Sequence, residues 1–165
     1  FEYRKEKKQK HNKDFLTVGS MGHANQIALG IAIVKTEKRI ICIDGDGALL
    51  MHMGSMCQIG NLNMKNYLHI LVNNGAHDSV GGQATLGYDI DFPTMAKASN
   101  YEHVFTATEE NEVVSHLNEI KNLKGPIFLE IKVIKGSRED LGRPDIAPIK
   151  NKIDFMKFIN DKSKN

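Results

Sequence analysis

Gly45-Asp46-Gly47 and Asn73-Asn74 offer the oxygens that a small, hard divalent cation binds: a carboxylate from Asp46 and a neutral amide oxygen from Asn74. Glycines at 45 and 47 let the backbone approach an anion with no Cβ in the way, and a helix opening near Ala48 would aim free N–H groups at it. The chemistry on offer is the holding of a diphosphate group through Mg2+. Other readings fail at named positions. A hairpin turn at Asp44-Gly45 needs an alternating strand directly afterwards, and residues 48–54 do not alternate. A dinucleotide fingerprint needs glycine where Leu50 stands, and the chain has no Gly-x-x-x-x-Gly-Lys-Ser/Thr run.

For the two motifs to meet, the stretch between them must hold one helix and one returning strand, so that both end on the same edge of a parallel sheet. Residues 39–44 and 67–72 are short apolar runs rich in β-branched residues, as strands buried on both faces read. Leu49, Leu50, Met53, Met56, Cys57 and Ile59 recur at helical spacing and predict one helix over 48–60. Asp46 and Asn74 then sit just past the carboxyl ends of strands, where open α/β sheets bind ligands. Further helices are expected over 23–35, 92–99 and 109–122, further strands over 103–105 and 127–134, and a Gly-rich loop over 75–87. This alternation predicts an α/β fold, a doubly wound, mostly parallel sheet with helices on both faces. Pro93 suits the first turn of its helix, and Gly125-Pro126 marks entry to the last strand.

The organisation reads as a linker or the end of a preceding helix over 1–13, a domain over 14–135, and a polar tail over 136–165. Pro144 and Pro148 argue against regular structure in that tail. Residues 153–159 could still form a short amphipathic helix, docked on a partner or on this domain.

With these motifs the chain resembles the thiamin-diphosphate enzymes, whose diphosphate-binding domains carry a Gly-Asp-Gly to Asn-Asn pair of this kind. The resemblance implies that Asp46, Asn74 and the backbone carbonyl of Ala76 ligate Mg2+, while amides at Gly47 and Ala48 hold the diphosphate beside Gly45. Gly19-Ser20-Met21-Gly22 matches a second motif of such enzymes. There Gly19 would offer its carbonyl to the aminopyrimidine, and Met21 would wedge the cofactor into a bent shape. Ser20 and Ser79 count among the cofactor-contacting residues, not as nucleophiles. Residues 14–24, 44–54, 73–83 and 136–144 together are similar to the phosphonopyruvate decarboxylases, with sulfopyruvate decarboxylases close in pattern. The implied reaction is decarboxylation of a small 2-oxo acid, phosphonopyruvate giving phosphonoacetaldehyde, with the cofactor as electron sink. The implied partner is a pyrimidine-binding domain or subunit that supplies an activating glutamate, in a homo-oligomer.

Composition sets broad limits. A chain of 165 residues suits one domain, and 22 basic against 20 acidic residues give no strong field. The basic stretch Arg4 to Lys13 reads as a solvated linker or helix face; with only Phe1 and Tyr3 as aromatics nearby, no nucleic-acid partner is expected. Cys42 and Cys57 read as small core residues. With no signal peptide and no apolar run long enough to span a bilayer, no membrane role is expected and the expected location is the cytoplasm. The opening at Phe1, without an initiator, suggests a C-terminal portion of something larger, and hence half of an active site.

His77 and His23 are acid/base candidates, because each follows a cofactor-contacting segment and imidazole titrates near neutral pH. For His23 a role satisfied by local hydrogen bonding is favoured, and His77 is the catalytic candidate. An ungapped count places Val80 where pyruvate decarboxylase has a glutamate, so that enzyme's protonation scheme does not transfer. An acidic head group needs cationic or N–H partners. Arg138, Arg143 or the amides of residues 80–82 are the candidates, with subunit contacts the competing role for the arginines.

Overall fold

The computed structural model describes residues 4, 6–8, 12–142 and 144–161. They form two compact units, residues 21–136 and residues 1–20 together with 137–165.

Residues 21–136 are built on four parallel strands, β1 (Ile40–Gly45), β2 (Tyr67–Asn73), β5 (His103–Ala107) and β6 (Ile127–Lys132), in the order β1-β2-β6-β5. The register pairs Ile40 with Tyr67 and Gly45 with Val72, which brings the carboxyl ends of β1 and β2 side by side. On one face lie α1 (Ala24–Val34), α2 (Asp46–Met51), α3 (Ser55–Leu62) and α4 (Phe92–Ala98), closing a core that includes Leu29, Leu49, Ile59, Tyr67, Leu71 and Phe128. On the other, α5 (Glu110–Ile120) buries Ile120 with Leu68, Ile127 and Leu129. This is the α/β sheet with helices on both faces that the alternation predicts.

Local sequence explains the helix starts. Asp91 caps α4 by accepting from Thr94 N at 2.9 Å, with Pro93 in the first turn where a missing N–H costs nothing. Before α5, Glu112 accepts from the amides of Thr108 and Glu109, and these bonds, Thr108 first, hold its carboxyl below the usual range.

Four expectations change. The helix expected over 48–60 is two helices, α2 and α3, separated by a turn in which His52 N bonds Leu49 O and Ser55 N bonds His52 O. The apolar period runs through that turn because Met53 still packs against the core. The expected loop 75–87 contains a two-stranded ribbon, β3 (Ala76–His77) with β4 (Gln83–Ala84), and a short 3-10 turn at Asp78–Val80. β1 is buried on one face only: Ile41 is 54% and Ile43 67% exposed, because β1 is a sheet edge and α5 packs at the β5 side. Cys57 is exposed on α3, within 3.7 Å of Ser99 Oγ.

The other unit also departs from expectation. Residues 148–160 form α6 (Pro148–Asn160), with Pro148 starting the helix instead of preventing it. α6 docks on its own chain: Asn151 Oδ1 accepts from Leu16 N at 2.9 Å, its Nδ2 donates to Asp14 O at 2.7 Å, and Phe155 meets Phe15 at 5.6 Å between ring centres. No helix among the described residues is long and apolar enough to cross a membrane.

Candidate functional site

The carboxyl ends of β1 and β2 open into a cleft of about 430 Å³ lined by Met21, Gly45, Asp46, Gly47, Ala48, Asn74, Ala76, His77, Asp78 and Ser79, with Ile43 and Val72 as apolar wall. Of the cofactor, metal and catalytic candidates argued from the sequence, Met21, Gly45, Asp46, Gly47, Ala48, Asn74, Ala76, His77 and Ser79 line this one cavity, and Gly19 and Ser20 do not; His23, Arg138 and residues 80–82 also lie outside its lining. Gly19 and Ser20 belong to the other compact unit, and their backbone turns through positive φ at +71° and +46°.

Asp46 is the first residue of α2 and only 1% exposed. Its Oδ1 accepts from Asn74 N at 3.3 Å, and its Oδ2 accepts from the Thr85 hydroxyl, which in turn accepts from Gly87 N at 3.0 Å. Among the described residues no cationic side chain pairs with it. Burying a carboxylate without a counter-charge is costly, so this position suits a bound cation. Asp46, Asn74 and Ala76 line the same cleft and offer carboxylate, amide and carbonyl oxygens, hard ligands of the kind Mg2+ takes. The donor set therefore fits the metal that the resemblance implies.

Glycine at 47 is required by space. A Cβ there would lie 2.4 Å from the His77 ring, so the histidine sits directly over the Gly47 turn that lines the cleft. His77 is held from behind by the β3–β4 ribbon, and its carbonyl accepts from Gly82 N at 2.9 Å. A similar constraint acts at Gly87, where a Cβ would meet Asn73 Oδ1 and Asp46 Oδ2 at 2.5 Å.

Below the cleft floor a buried polar layer braces both motifs. Asp44 accepts from Gly45 N at 3.1 Å and from Asn25 Nδ2 at 3.1 Å, and lies 3.6 Å from His69 Nε2. Asn73 donates to Glu130 Oε1 at 2.8 Å and to Gly87 O at 2.7 Å, while its Oδ1 accepts from Gly75 N at 3.2 Å. Burial pushes the Cys42 thiol up to about 12, with the charge of Asp44 adding to it, and drives the Tyr67 and Tyr101 phenols well above their usual range.

Sequence reasoning missed Thr85 and Asp78, which bond the candidate ligands Asp46 and Asn74, and Glu130, which accepts from the neighbouring Asn73; none of the three belongs to a motif. Thr85 and Asp78 sit in a segment that reads only as Gly-rich loop; Glu130 interrupts an apolar strand, and that single charge in a buried run was the available signal. The second histidine candidate, His23, precedes α1 and stacks on His52 with ring centres 4.1 Å apart. Arg138 pairs with Asp140 at 3.0 Å. Arg143 lies outside the described residues, as do Phe1 and Tyr3.

A parallel α/β sheet carrying a diphosphate-type cleft and a buried carboxylate at adjacent strand ends defines a cofactor-binding domain. Residues 2–131 match the family described as thiamine pyrophosphate enzyme, C-terminal TPP binding domain, and the chain belongs to that family. It is 34% identical over 148 residues to phosphonopyruvate decarboxylase of Streptomyces viridochromogenes, covering 90% of this chain and 37% of that protein. It is 33% identical over 148 residues to sulfopyruvate decarboxylase subunit beta of Methanocaldococcus jannaschii, covering 89% of this chain and 77% of that subunit. Among solved structures, transketolase from Campylobacter jejuni superposes with a TM-score of 0.57 at 17% identity, over 70% of this chain and 20% of that one, a likeness of fold. The chain spans about 37% of the length of the Streptomyces phosphonopyruvate decarboxylases that it matches.

Proposed function

We propose that this chain is the diphosphate- and Mg2+-binding part of a thiamin-diphosphate-dependent 2-oxo acid decarboxylase acting on phosphonopyruvate, with phosphonoacetaldehyde and CO2 as products. The observation that supports the metal site is the buried Asp46 carboxylate, which accepts from the Asn74 backbone N–H and pairs with no cationic side chain among the described residues. The choice of substrate rests on the 34% and 32% identity to phosphonopyruvate decarboxylases.

Asp46, Asn74 and the Ala76 carbonyl hold Mg2+, and the amides of Gly47 and Ala48 hold the diphosphate at the start of α2. Bound thiamin diphosphate supplies the sink for the electrons left when CO2 departs. Met21 and the apolar wall of Ile43 and Val72 shape the cleft. His77, over the Gly47 turn, handles the proton that substrate turnover requires. A pyrimidine-binding domain or subunit completes the site, in an oligomer.

A second reading is favoured by one observation. The chain covers 77% of a sulfopyruvate decarboxylase beta subunit, which supports a split enzyme whose cofactor halves lie on separate chains and whose substrate carries a sulfonate. A cofactor-binding or assembly module without catalysis is the remaining class.

Calorimetry with thiamin diphosphate and Mg2+ tests the binding, and aldehyde release from phosphonopyruvate and from sulfopyruvate tests the reaction, each with and without a pyrimidine-binding partner. The expected result is weak binding and no turnover by the chain alone, and turnover of phosphonopyruvate once the partner is present. Failure to bind the cofactor even with the partner would overturn the reading, and aldehyde release by the chain alone would overturn the need for a partner.

A further inference from the structure

Asp78 follows Asn74 by four residues and lines the same cleft. Its Oδ2 accepts from Asn74 Nδ2 at 2.8 Å and from Gly136 N at 2.8 Å. At the other end of the amide, Asn74 Oδ1 points toward the backbone of the next turn and accepts from Ala76 N at 3.0 Å. A side-chain amide carries a donor end and an acceptor end that exchange on a half-rotation, and only the oxygen can bind a cation. An ionised carboxylate only accepts, so a neighbouring aspartate selects one of the two rotations.

We propose that Asp78 is a positioning residue that fixes the Asn74 amide with its nitrogen held away and its oxygen available to the metal. The inference rests on the reading of Asp46 and Asn74 as metal ligands. The loop that carries Asp78 is itself held: Lys135 Nζ donates to Gly82 O, and Gly136 N donates to Asp78. The orientation of one metal ligand is thereby tied to the chain that leaves β6. Asp78 Oδ2 accepts two N–H groups at normal hydrogen-bond length, the arrangement of a group that holds a neighbouring side chain.

The test uses Mn2+ as the probe, titrated in the presence of saturating thiamin diphosphate into the full chain with its completing partner, with free Mn2+ read by electron paramagnetic resonance. Asp78→Ala is expected to weaken Mn2+ binding at least about tenfold, the range found when an outer-shell partner of a metal ligand is removed. Asp78→Asn keeps an oxygen able to accept both bonds and is expected to restore affinity close to the parent protein. Asp78 is exposed, so both variants are expected to fold; slowed exchange of the Asn74 side-chain amide protons, lost in Asp78→Ala and retained in Asp78→Asn, gives a second readout. Equal Mn2+ affinity for Asp78→Ala and the parent would overturn the inference while leaving the metal site standing. An Asp78→Asn variant as weak as Asp78→Ala would overturn it in favour of a direct or charge role. A parent protein that binds no Mn2+ would overturn both the inference and the metal site.

Discussion

The two strand ends that form the cleft are built in opposite ways. At the end of β1 the proposed ligand is a charge, Asp46, 1% exposed and fixed by the first turn of α2. At the end of β2 it is a neutral amide, Asn74, half-buried and oriented through an exposed loop by Asp78. A buried charge is tolerable only where the scaffold is stiff and a counter-ion arrives, whereas a neutral oxygen needs little desolvation but must be aimed. Rigidity and charge sit on one side of the cleft, adjustability and aim on the other.

The largest expected effect falls on the rigid side. Asp46→Ala should weaken Mg2+-dependent binding of thiamin diphosphate by more than about 100-fold, past the range of outer-shell changes. Asp46→Asn, which keeps an oxygen to accept from the Asn74 N–H and a polar atom facing the Thr85 hydroxyl, should leave the thermal midpoint of the metal-free protein unchanged or raised, because an uncompensated buried charge has gone. A lowered midpoint would mean that Asp46 braces the fold, and the contrast between the two sides would break. On the adjustable side, His77→Ala in the complete enzyme should cut turnover by about 100-fold, the size of a lost acid/base group, with a much smaller change in cofactor affinity. Unchanged turnover would remove His77 from the chemistry.

A smaller effect probes where the sides touch. Gly47→Ala places a methyl 2.4 Å from the His77 ring and should weaken cofactor binding about tenfold, since contacting residues couple strongly. The Gly47→Ala, His77→Ala pair should be less than additive in a double-mutant cycle. Additive losses would show that the ring yields freely. Beneath the β2 end, Glu130→Ala removes an acceptor from the buried Asn73 amide and should cost about 1–3 kcal/mol in denaturant unfolding, with Glu130→Gln milder. The smallest effect serves as a remote control. Glu112 has its folded-state carboxyl held below the usual range by the Thr108 and Glu109 amides. Its contribution is therefore complete above the unfolded value of 4.5 and declines as pH falls through the lower folded value. Glu112→Gln should remove that acid-side slope and leave metal binding untouched; a change in Mn2+ affinity would show that the two strand ends are coupled to the far side of the sheet.

Much of this architecture was legible in the residues. β1 and β2 fall within a residue of their expected ends because buried parallel strands read as unbroken β-branched runs, and Gly-Asp-Gly and Asn-Asn mark where those runs stop. The place of Asp46 and Asn74 in one cleft was readable for the same reason: each motif sits where a strand ends. What escaped was what periodicity does not encode. The break between α2 and α3 is invisible because Met53 keeps the apolar spacing across it, and Pro148 reads as a breaker unless it is known to stand in a first turn. The open face at Ile41 and Ile43 depends on strand order, which pattern alone does not give. Thr85 and Glu130 escaped because their contacts with Asp46 and Asn73 span separations that only the folded chain closes, and Asp78 escaped because its bond to Asn74, four residues away, lies in a loop whose shape no periodicity encodes.

The two cysteines carry a practical consequence. Cys42 is enclosed in the sheet, its thiol pushed up to about 12, so almost no thiolate forms at neutral pH and no reagent reaches it. Cys57 stands exposed on α3. The native chain therefore offers one accessible thiol for a maleimide dye or spin label without any mutation. A second reactive thiol becomes countable only when the sheet opens, so titrating thiols against denaturant measures unfolding of the β1–β2 region directly.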